Sequence, residues 1–295
     1  MDTRFIESFV TVVEKGSIAE AARRLNLTPA GVAQQVRALE RDIGKPLMRR
    51  DGRTVKPTEV GIAILDGARA LLRQARELRA VTADDTVVGE LRLGSTSTAL
   101  AGILPPILAS FTRNYPQVRV YLVPGVSVEL YHNVLRGELD AAIIVQPRFD
   151  IPKTCSWMTL RTEPLVVLTP IGMPAEDPHG LLKQEPFIRY DRNHWGGQVV
   201  DHYLRHVGIR PREHLELSAI DAIAALVARG LGISLVPDWA SPWPVTNSIA
   251  KLPILDNDHV LRIGLLSANM SPSARLVRLL RQEAMATFDA VETEG

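Results

Sequence analysis

The chain has 295 residues, which is long enough for two domains, and a net charge of +1. Its composition of 46% hydrophobic and 23% charged residues is that of a globular protein with a hydrophobic core. No apolar run approaches the roughly 18 residues of a membrane helix, no apolar signal core follows the first residues, and the single Cys155 excludes an internal disulfide, so we expect a cytoplasmic protein. The charge is uneven, since residues 1–57 hold eleven Lys and Arg against seven Asp and Glu, which indicates an anionic partner for a basic head on a mildly acidic body.

The N-terminal residues predict three short helices. The first is apolar and ends before Gly16. Ser17, with Glu20 three residues later, forms a capping box that begins a second helix, which runs to about Leu25. After a tight turn, Thr28 caps a third helix that has a proline in its first turn, where a missing N–H costs nothing.

The third helix has one apolar face and one slim polar face. The apolar residues recur at steps of four, three and four and predict a buried stripe, formed by Val32, Val36, Leu39 and Ile43. The opposite face displays Pro29, Ala30, Ala33, Gln34, Arg37 and Arg41. Two short helices joined by a tight turn, with small residues where a backbone would meet DNA, are typical of a helix-turn-helix that enters the major groove. Gln34 suits an adenine edge, and Arg37 suits a guanine edge or a phosphate.

A basic hairpin is predicted after the third helix. The segment "KPLMRRDGRTVKPT" reads as strand, turn and strand, with Asp51-Gly52 as the turn. Its basic residues, suited to backbone or minor-groove contact, are Arg49, Arg50, Arg53 and Lys56. The alternative, an ordinary helix pair with a charged face, does not predict that cap, buried stripe, small outer residues and basic hairpin occur together.

Residues 9–61 resemble the N-terminal signature of the LysR-type transcriptional regulators. The shared residues are Phe9, Gly16, Ser17, Ala21, Ala22, Leu25, Val32, Leu39, Glu40, Gly44, Leu47, Arg49, Thr58 and Gly61. The resemblance implies a winged helix-turn-helix over residues 1–58 that binds double-stranded DNA. Pro29, Ala33 and Met48 replace the family's usual glutamine, serine and phenylalanine, so we expect Gln34 and Arg37 to bear more of the base discrimination. The predicted DNA-contacting residues are Thr28, Pro29, Ala30, Ala33, Gln34, Arg37, Arg49, Arg50 and Arg53.

A long helix is predicted next, from Glu59 to about Ala83, with Thr58 as its cap. Small and apolar residues along it step by three and four, the spacing of a coiled-coil seam. We therefore expect residues 59–86 to dimerise through Ile64, Ala68, Leu71, Ala75 and Leu78. Packing of this stripe on the same chain is the alternative, and the family resemblance also implies a linker helix that dimerises.

From Gly89 onwards, predicted strands and helices alternate. The strands are "ELRLGS", "VRVYLV", "DAAIIV", "LVVLT", "PFIRY", "LELS", "GISLVP" and "LRIGLLS". The helices are Ala101–Arg113, Val128–Arg136, Trp195–Val207, Ile220–Arg229 and a closing helix from Pro272 to about Phe288. This pattern predicts a mostly parallel sheet covered on both faces. We expect a two-lobed α/β domain over residues 87–295, like a periplasmic solute-binding protein, with lobe I at about 87–162 and 265–295 and lobe II at about 163–264. Segments such as "GELDAAIIV" also resemble the effector-binding domain of the same family.

A ligand site is predicted beyond the carboxyl ends of these strands, where ligands of open α/β sheets bind. The segment "GSTSTALAG" brings hydroxyls to a helix N-terminus, which favours an anion, although helix capping alone would also explain them. The resemblance places effector contacts on Thr96 and Thr98. We expect a small, carboxylate-bearing effector to contact Thr96, Ser97, Thr98 and Gln146 from one lobe and Arg192, Asn193 and His194 from the other.

An enzyme is the alternative class. Ser234 in "GISLV" lacks the second glycine of a nucleophile elbow, and "RGLGIS" lacks the third glycine of a dinucleotide loop. His202 and His206 have metal-ligand spacing without an evident third ligand, so we expect surface histidines, and we expect Cys155 to serve packing. We therefore expect no catalytic site, metal or cofactor. The resemblance implies a homodimer or homotetramer that also contacts RNA polymerase.

Overall fold

A computed structural model describes residues 2–51, 54–80, 87–173, 177–240, 242, 246–254, 258–271 and 273–293. The chain divides into two units, Met1–Gly89 and Glu90–Gly295. Across the described ranges, no helix combines the length and the apolar character that crossing a membrane requires.

The N-terminal unit is a winged helix-turn-helix followed by a long helix. Its elements are α1 (Thr3–Lys15), α2 (Ile18–Leu25), α3 (Pro29–Ile43), β1 (Met48–Asp51), β2 (Thr54–Pro57) and α4 (Glu59–Ala80). The side chains of Asp2, Ser17 and Thr28 accept hydrogen bonds from backbone N–H groups in the first turns of α1, α2 and α3. The predicted caps at Ser17 and Thr28 are therefore confirmed.

The three short helices enclose one apolar core. The stripe predicted on α3 is confirmed, since Val32, Val36 and Leu39 are buried there and Ile43 packs against the same core. Helix α4 packs on α1 and adds Ala68 and Leu72 to the core. The backbone approaches closely where α4 begins, because a Cβ at Gly61 would lie 2.2 Å from the carbonyl oxygen of Leu47.

The C-terminal unit alternates strands and helices. Its elements are β3 (Gly89–Ser95), α5 (Ser97–Gly102), α6 (Leu104–Asn114), β4 (Val118–Pro124), α7 (Ser127–Leu135), β5 (Ala141–Val145), β6 (Cys155–Glu163), β7 (Leu165–Pro170), α8 (Pro178–Gln184), β8 (Pro186–Tyr190), α9 (Trp195–His206), β9 (Arg212–Leu217), α10 (Ile220–Ala228), β10 (Ser234–Pro237), β11 (Ile249–Pro253), β12 (Leu261–Ala268) and α11 (Ala274–Thr293). A 3-10 turn at Thr246–Ser248 precedes β11. The helix predicted at Ala101–Arg113 is two helices, because prolines occupy the first turn of α6 and cannot continue α5.

The first sheet has the strand order β4-β3-β5-β12-β6. Strand β3 runs parallel to β5, whereas β12 runs antiparallel to both β5 and β6. The expectation of a mostly parallel sheet is therefore wrong, because the chain returns through β12 in the opposite direction to β5. Strand β12 joins this sheet along its whole length, from Leu261. The edge strand β6, which sequence patterning missed, mixes polar and apolar residues without a clear alternation.

Strands β7 to β11 form a three-stranded sheet, β10-β7-β11, and a two-stranded sheet, β8-β9, which one isolated bridge connects and which are together called the second sheet. Strand β7 lies between β10 and β11 and is antiparallel to both. Strands β8 and β9 are parallel, and the bridge between Phe187 and Ile233 joins β8 to the residues before β10. Only Pro164 separates β6 of the first sheet from β7 of the second. Glu163, the last residue of β6, therefore lies next to this crossover.

Candidate DNA interface and ligand cavity

The outer face of α3 is open to solvent. Pro29, Ala30, Gln34, Arg37 and Arg41 are exposed there, and Ala33 is half-buried. The opposite face of the helix carries the buried stripe, so the rotation of α3 about its axis is fixed by packing. The Thr28 hydroxyl is exposed and accepts the Gly31 amide at 3.1 Å, so it holds the first turn of the helix. A narrow helix with this exposed face is shaped to enter the major groove of DNA.

A single carboxylate attaches the hairpin to α3. Glu40 Oε1 accepts the backbone N–H of Leu47 at 2.8 Å and of Met48 at 3.1 Å, so the wing strand begins at a fixed place beside the helix. The Thr58 hydroxyl donates to the carbonyl of Pro46 at 2.8 Å and ties the same loop to the start of α4. Sequence reasoning used Glu40 only as a signature residue and missed this anchoring role, which depends on a contact seven residues away.

The hairpin carries exposed arginines. Strands β1 and β2 pair antiparallel, with Arg49 opposite Lys56 and Arg50 opposite Val55. Arg49 and Arg50 are exposed, and the part of the chain that the structure describes offers neither of them an ion-pair partner. Arg53 lies outside the described residues, so its predicted DNA contact is not placed. Arg37, Arg41 and Lys45 are also exposed and line a shallow concave surface near the end of α3.

The predicted dimerisation stripe on α4 is divided between two environments. Ala68 is buried in the core of the head and Ile64 packs against that core, so both already have partners in the same chain. Leu71 remains 42% exposed, and Ile62, which was not predicted, is 60% exposed. Ala75 is half-buried, and the side chain of Leu78 lies outside the described residues. The exposed part of the helix is therefore available for self-association.

A cavity of about 570 Å³ lies between the two sheets of the C-terminal unit. Five of the predicted effector residues line it, namely Thr96, Ser97, Thr98, Asn193 and His194. Apolar walls come from residues such as Val145, Ile220, Leu261 and Ile263. The cavity also contains two residues that sequence reasoning missed, Glu163 and Tyr190. They end β6 and β8, so the signal that could have found them is their position at strand ends facing the crossover.

The structure does not bring Gln146 and Arg192 into this cavity. The Arg192 guanidinium donates to Glu213 at 2.6 Å and to Glu216 at 3.1 Å, and these carboxylates on β9 hold it away from the ligand space. Gln146 instead lines a neighbouring cavity that also contains His202 and His259. The prediction that Gln146 and Arg192 face this cavity is therefore wrong. It assumed that residues next to the cavity-lining residues in sequence point in the same direction.

The helices around the cavity begin without side-chain caps. The first turns of α5, α7, α9 and α10 all line it, and their N-cap residues make no side-chain cap hydrogen bond: Thr96, Val126, His194 and Ala219. Helices α1, α2, α3 and α8 are each capped by a side chain, whereas α6, which does not line the cavity, is not. Uncapped first turns expose N–H donors and the positive ends of helix dipoles. The first turns of these four helices therefore place backbone N–H donors at one cavity, where His194 is the one basic side chain of the described lining.

The hydroxyl of Thr96 supports this interpretation. Its Oγ1 atom is buried and has no hydrogen-bond partner, and it does not cap α5. The alternative explanation of this residue as a helix cap is therefore not supported. A buried hydroxyl without a partner is costly unless a ligand supplies one. Ser127 differs, because its hydroxyl already accepts the Val145 amide at 3.1 Å.

The side-chain charges that line the cavity are negative. Glu163 is only 2% exposed, and its burial raises the pKa of its carboxyl to about 7. Burial, together with Glu163 and Asp191, also raises the pKa of Tyr190 well above its ordinary value. Among the described residues that line the cavity there is no lysine or arginine. An anion here would therefore be bound without a lysine or arginine, by backbone N–H groups together with His194.

Three aromatic rings join the two lobes beside the cavity. Trp195 at the start of α9 packs edge-to-face on Tyr131 of α7 at 5.6 Å between ring centroids and on Phe149 at 5.7 Å. Tyr131 and Phe149 are 5.5 Å apart and edge-to-face as well. Such contacts contribute about 0.5–1.5 kcal/mol each beyond their buried area. They hold α9 against the first lobe at the wall of the cavity.

The features weighed as enzymatic have structural explanations. The Ser234 hydroxyl is buried and donates to the carbonyl of Ile188 at 2.7 Å. His202 and His206 are exposed, and His202 Nδ1 lies 2.9 Å from Nε2 of the buried His259. The described part of the chain holds no group of three side chains placed to bind a metal ion.

Comparison with known proteins covers both units. Residues 3–62 match the family model described as "Bacterial regulatory helix-turn-helix protein, lysR family", and residues 84–289 match that of the "LysR substrate binding domain". The HTH-type transcriptional activator IlvY of Salmonella typhimurium is 28% identical over 274 residues, which cover 90% of this chain and 92% of the relative. The OxyR C206 mutant of Corynebacterium glutamicum has a TM-score of 0.64 and 25% identity, covering 99% of this chain and 96% of that one. Full-length CbnR complexed with its target DNA has a TM-score of 0.67 and covers 97% of this chain and all of its own, and at 23% identity it shows the fold alone.

Proposed function

The chain belongs to the LysR family of bacterial transcriptional regulators, and we propose that it reads one DNA site with α3 and its wing and responds to a carboxylate-bearing effector in the cavity. As a member of this family it is a DNA-binding regulator with an effector-binding domain, and it is not an enzyme. We propose residues 1–58 as the DNA-binding domain, 59–86 as the linker and 87–295 as the effector domain. Binding to the chromosome and contact with RNA polymerase, in the cytoplasm, would complete this role.

The packing of α3 is the observation that carries the DNA-binding proposal. Its apolar stripe is buried, so packing fixes the rotation of the helix about its own axis. The exposed face has small residues beside Gln34 and Arg37. Small residues allow the backbone to approach the groove, and the two long side chains reach base edges. The exposed arginines of the wing lie on a separate element and suit phosphates, which position the protein without reading sequence.

Fluorescence anisotropy on a duplex from the regulator's own upstream region tests this proposal. Each neutralised phosphate lowers the slope of log affinity against log salt by about 0.9, so several contacts predict a loss of at least about 10³-fold between 50 and 200 mM salt. A random duplex of equal length should bind more weakly and with a similar slope. Equal affinity for both duplexes at every salt concentration would contradict sequence-specific binding.

The four uncapped helix N-termini support a carboxylate-bearing effector. They provide backbone N–H donors at one cavity, and Thr96 adds a hydroxyl that lacks a partner in the absence of ligand. Thermal shift on the full chain tests this, since a ligand present at about 100 times its dissociation constant adds about 2.7 kcal/mol to the free energy of unfolding. Small carboxylic acids should raise the melting temperature, and their methyl esters should not.

Self-association through α4 is supported by the exposed Leu71 and Ile62 on its outer surface. Two linked heads would engage two half-sites and multiply the affinity for DNA. We propose a homodimer, or a homotetramer built from two of them. Light scattering of wild type and of Leu71→Glu measures the assembly directly, and an unchanged mass for the variant would argue against this seam.

A further inference from the structure

We propose that the effector carries an ammonium group as well as a carboxylate, that Glu163 binds the ammonium, and that the effector is therefore an α-amino acid or a close zwitterionic analogue. This inference rests on the proposed function, since it concerns the same cavity. It goes further because it names the class of effector and the residue that selects it.

Glu163 is a buried acid on the wall of a ligand cavity. It is the last residue of β6, pairs in register with Leu261 of β12, and lies at the crossover between the two sheets. Its side chain is 3% exposed. Asp and Glu are almost never buried to this extent unless a cation pairs with them.

The protein supplies only a poor cation for this carboxyl. The Arg161 guanidinium approaches it to 3.6 Å between Nε and Oε1, which exceeds hydrogen-bond distance, and the side chain of Arg161 is 40% exposed. The backbone N–H of Ala240 donates a hydrogen bond to the carboxyl, and the nearby Asp238 disfavours its charge. No lysine or arginine reaches the cavity from its described lining. A buried acid in a cleft, without a cation at hydrogen-bond distance, is a candidate to bind a cationic ligand group.

The remaining walls fit the rest of such a molecule. The uncapped first turns of α7, α9 and α10 offer N–H donors to the carboxylate, and the buried Thr96 hydroxyl, which has no partner, adds one more. The cavity of about 570 Å³ has apolar walls that suit an uncharged side chain. A zwitterion therefore matches backbone donors at one group and Glu163 at the other, whereas a plain carboxylic acid adds no cation to the Ala240 N–H and the 3.6 Å Arg161 contact that Glu163 already has.

The protonation of Glu163 gives the inference a distinctive signature. Burial raises the pKa of this carboxyl to about 7, against the lowering effect of Arg161. An ammonium group binds the ionised form, so affinity should rise about tenfold from about pH 6 to pH 8, as a group with pKa about 7 goes from roughly one-tenth to nine-tenths ionised. The other acidic groups near the site are Asp238, beside Glu163, and Glu129 on the cavity wall. His194 also lines the cavity, so comparing each amino acid with its deaminated acid separates its effect on carboxylate binding from that of Glu163.

The experiment compares matched probes on the full chain by isothermal titration calorimetry. The probes are L-leucine, L-norvaline and L-phenylalanine, each paired with its deaminated acid: 4-methylpentanoate, pentanoate and 3-phenylpropanoate. We expect at least one amino acid to bind about tenfold or more tightly than its partner acid. Titration at pH 6.5 in two buffers of different ionisation enthalpy should show proton release on amino-acid binding and none, or uptake, with the deaminated acid.

Glu163→Gln tests the residue itself. The amide keeps the shape and an acceptor for the Ala240 N–H but loses the charge, so the preference for the amino acid should fall at least tenfold and its rise with pH should disappear. Glu129→Gln is the matched control, because Glu129 lines the same cavity but is exposed, and it should change the preference by less than about twofold. The pH profile and proton release of the wild type test the proposal independently of any variant.

Each outcome decides between the two proposals. If deaminated acids bind as tightly as amino acids, or if Glu163→Gln keeps the preference and its pH dependence, the inference is wrong and the carboxylate site of the proposed function stands. If no acid of either kind binds, both the inference and the carboxylate effector are wrong, while DNA binding remains a separate measurement.

Discussion

Glu40→Ala tests how the wing is fixed to the recognition helix. One oxygen of Glu40 accepts the amides of both Leu47 and Met48, so alanine leaves two backbone donors without this acceptor. Hydrogen bonds to charged groups contribute about 1.5–3 kcal/mol each. Because the side chain is only half-buried, we take less than the sum of both and expect the free energy of unfolding of the head to fall by about 2–3 kcal/mol.

Calorimetry and hydrogen exchange on the full chain measure this effect. For a unit the size of Met1–Gly89, about 1 kcal/mol shifts the melting temperature by roughly 4–8 °C, so the transition of the head should fall by about 8–24 °C. The amides of Leu47 and Met48 should also exchange faster. Affinity for specific and random DNA should fall together, because the basic wing loses its position while the exposed face of α3 is unchanged.

Glu40→Gln is the matched control, since it keeps an acceptor at the same place and removes only the charge. We expect it to lose less than about 1 kcal/mol. The reasoning is refuted if both variants lose the same stability, or if Leu47 and Met48 in Glu40→Ala exchange at the wild-type rate.

Three further substitutions test the head and the cavity. Gln34→Ala should reduce the difference in binding free energy between the specific and the random duplex by about 1–3 kcal/mol. Arg49→Ala should instead weaken binding to every duplex and reduce the slope of log affinity against log salt by about 1. An equal loss of affinity for both duplexes from Gln34→Ala would show that Gln34 does not contact a base. Gly61→Ala places a methyl group 2.2 Å from the Leu47 carbonyl oxygen, so the free energy of unfolding measured in a thermal melt should fall by about 1–3 kcal/mol. Gly67→Ala on the same helix meets nothing within 4 Å and should raise the free energy of unfolding by about 0.5–1 kcal/mol. Effects of the same sign in the two variants would contradict the clash at Gly61. Thr96→Val should leave the melting temperature without ligand unchanged or higher, because its hydroxyl has no partner, yet weaken binding of a small carboxylic acid about tenfold in calorimetry; unaltered affinity would remove Thr96 from the site.

The head could be predicted closely because its signals are local. Ser17 and Thr28 each accept an N–H three residues away, and the stripe on α3 depends on the helical period alone. The capping role of Thr58 is also confirmed, since its hydroxyl accepts the Gly61 amide at 3.1 Å. These contacts lie within one turn, so the sequence shows both partners at once.

The errors arose where partners are distant in sequence. The residues next to Arg192 in sequence do not show its partners, because the carboxylates that bind it, Glu213 and Glu216, lie more than twenty residues later. Strand β6 carries no clear period because it is an edge strand of a mixed sheet, and its antiparallel partner β12 begins about one hundred residues after it. Glu163 was missed for the same reason, since its burial depends on the crossover and on Leu261 rather than on its own strand.

The cavity nevertheless leaves a mark that a sequence can show. Replacing a good N-cap residue typically costs a helix about 1 kcal/mol, and the helices of the head all have such a residue. Around the cavity, the N-cap positions of α7 and α10 hold Val126 and Ala219, which cannot cap, and Thr96 has a hydroxyl that does not. Several helices that begin at the cavity therefore lack the stabilisation of a side-chain cap. A bound carboxylate would restore it by accepting hydrogen bonds from their first-turn N–H groups. In this domain the strand-to-helix junctions without a side-chain cap meet at the cavity, where a carboxylate would be bound by backbone N–H groups without a lysine or arginine.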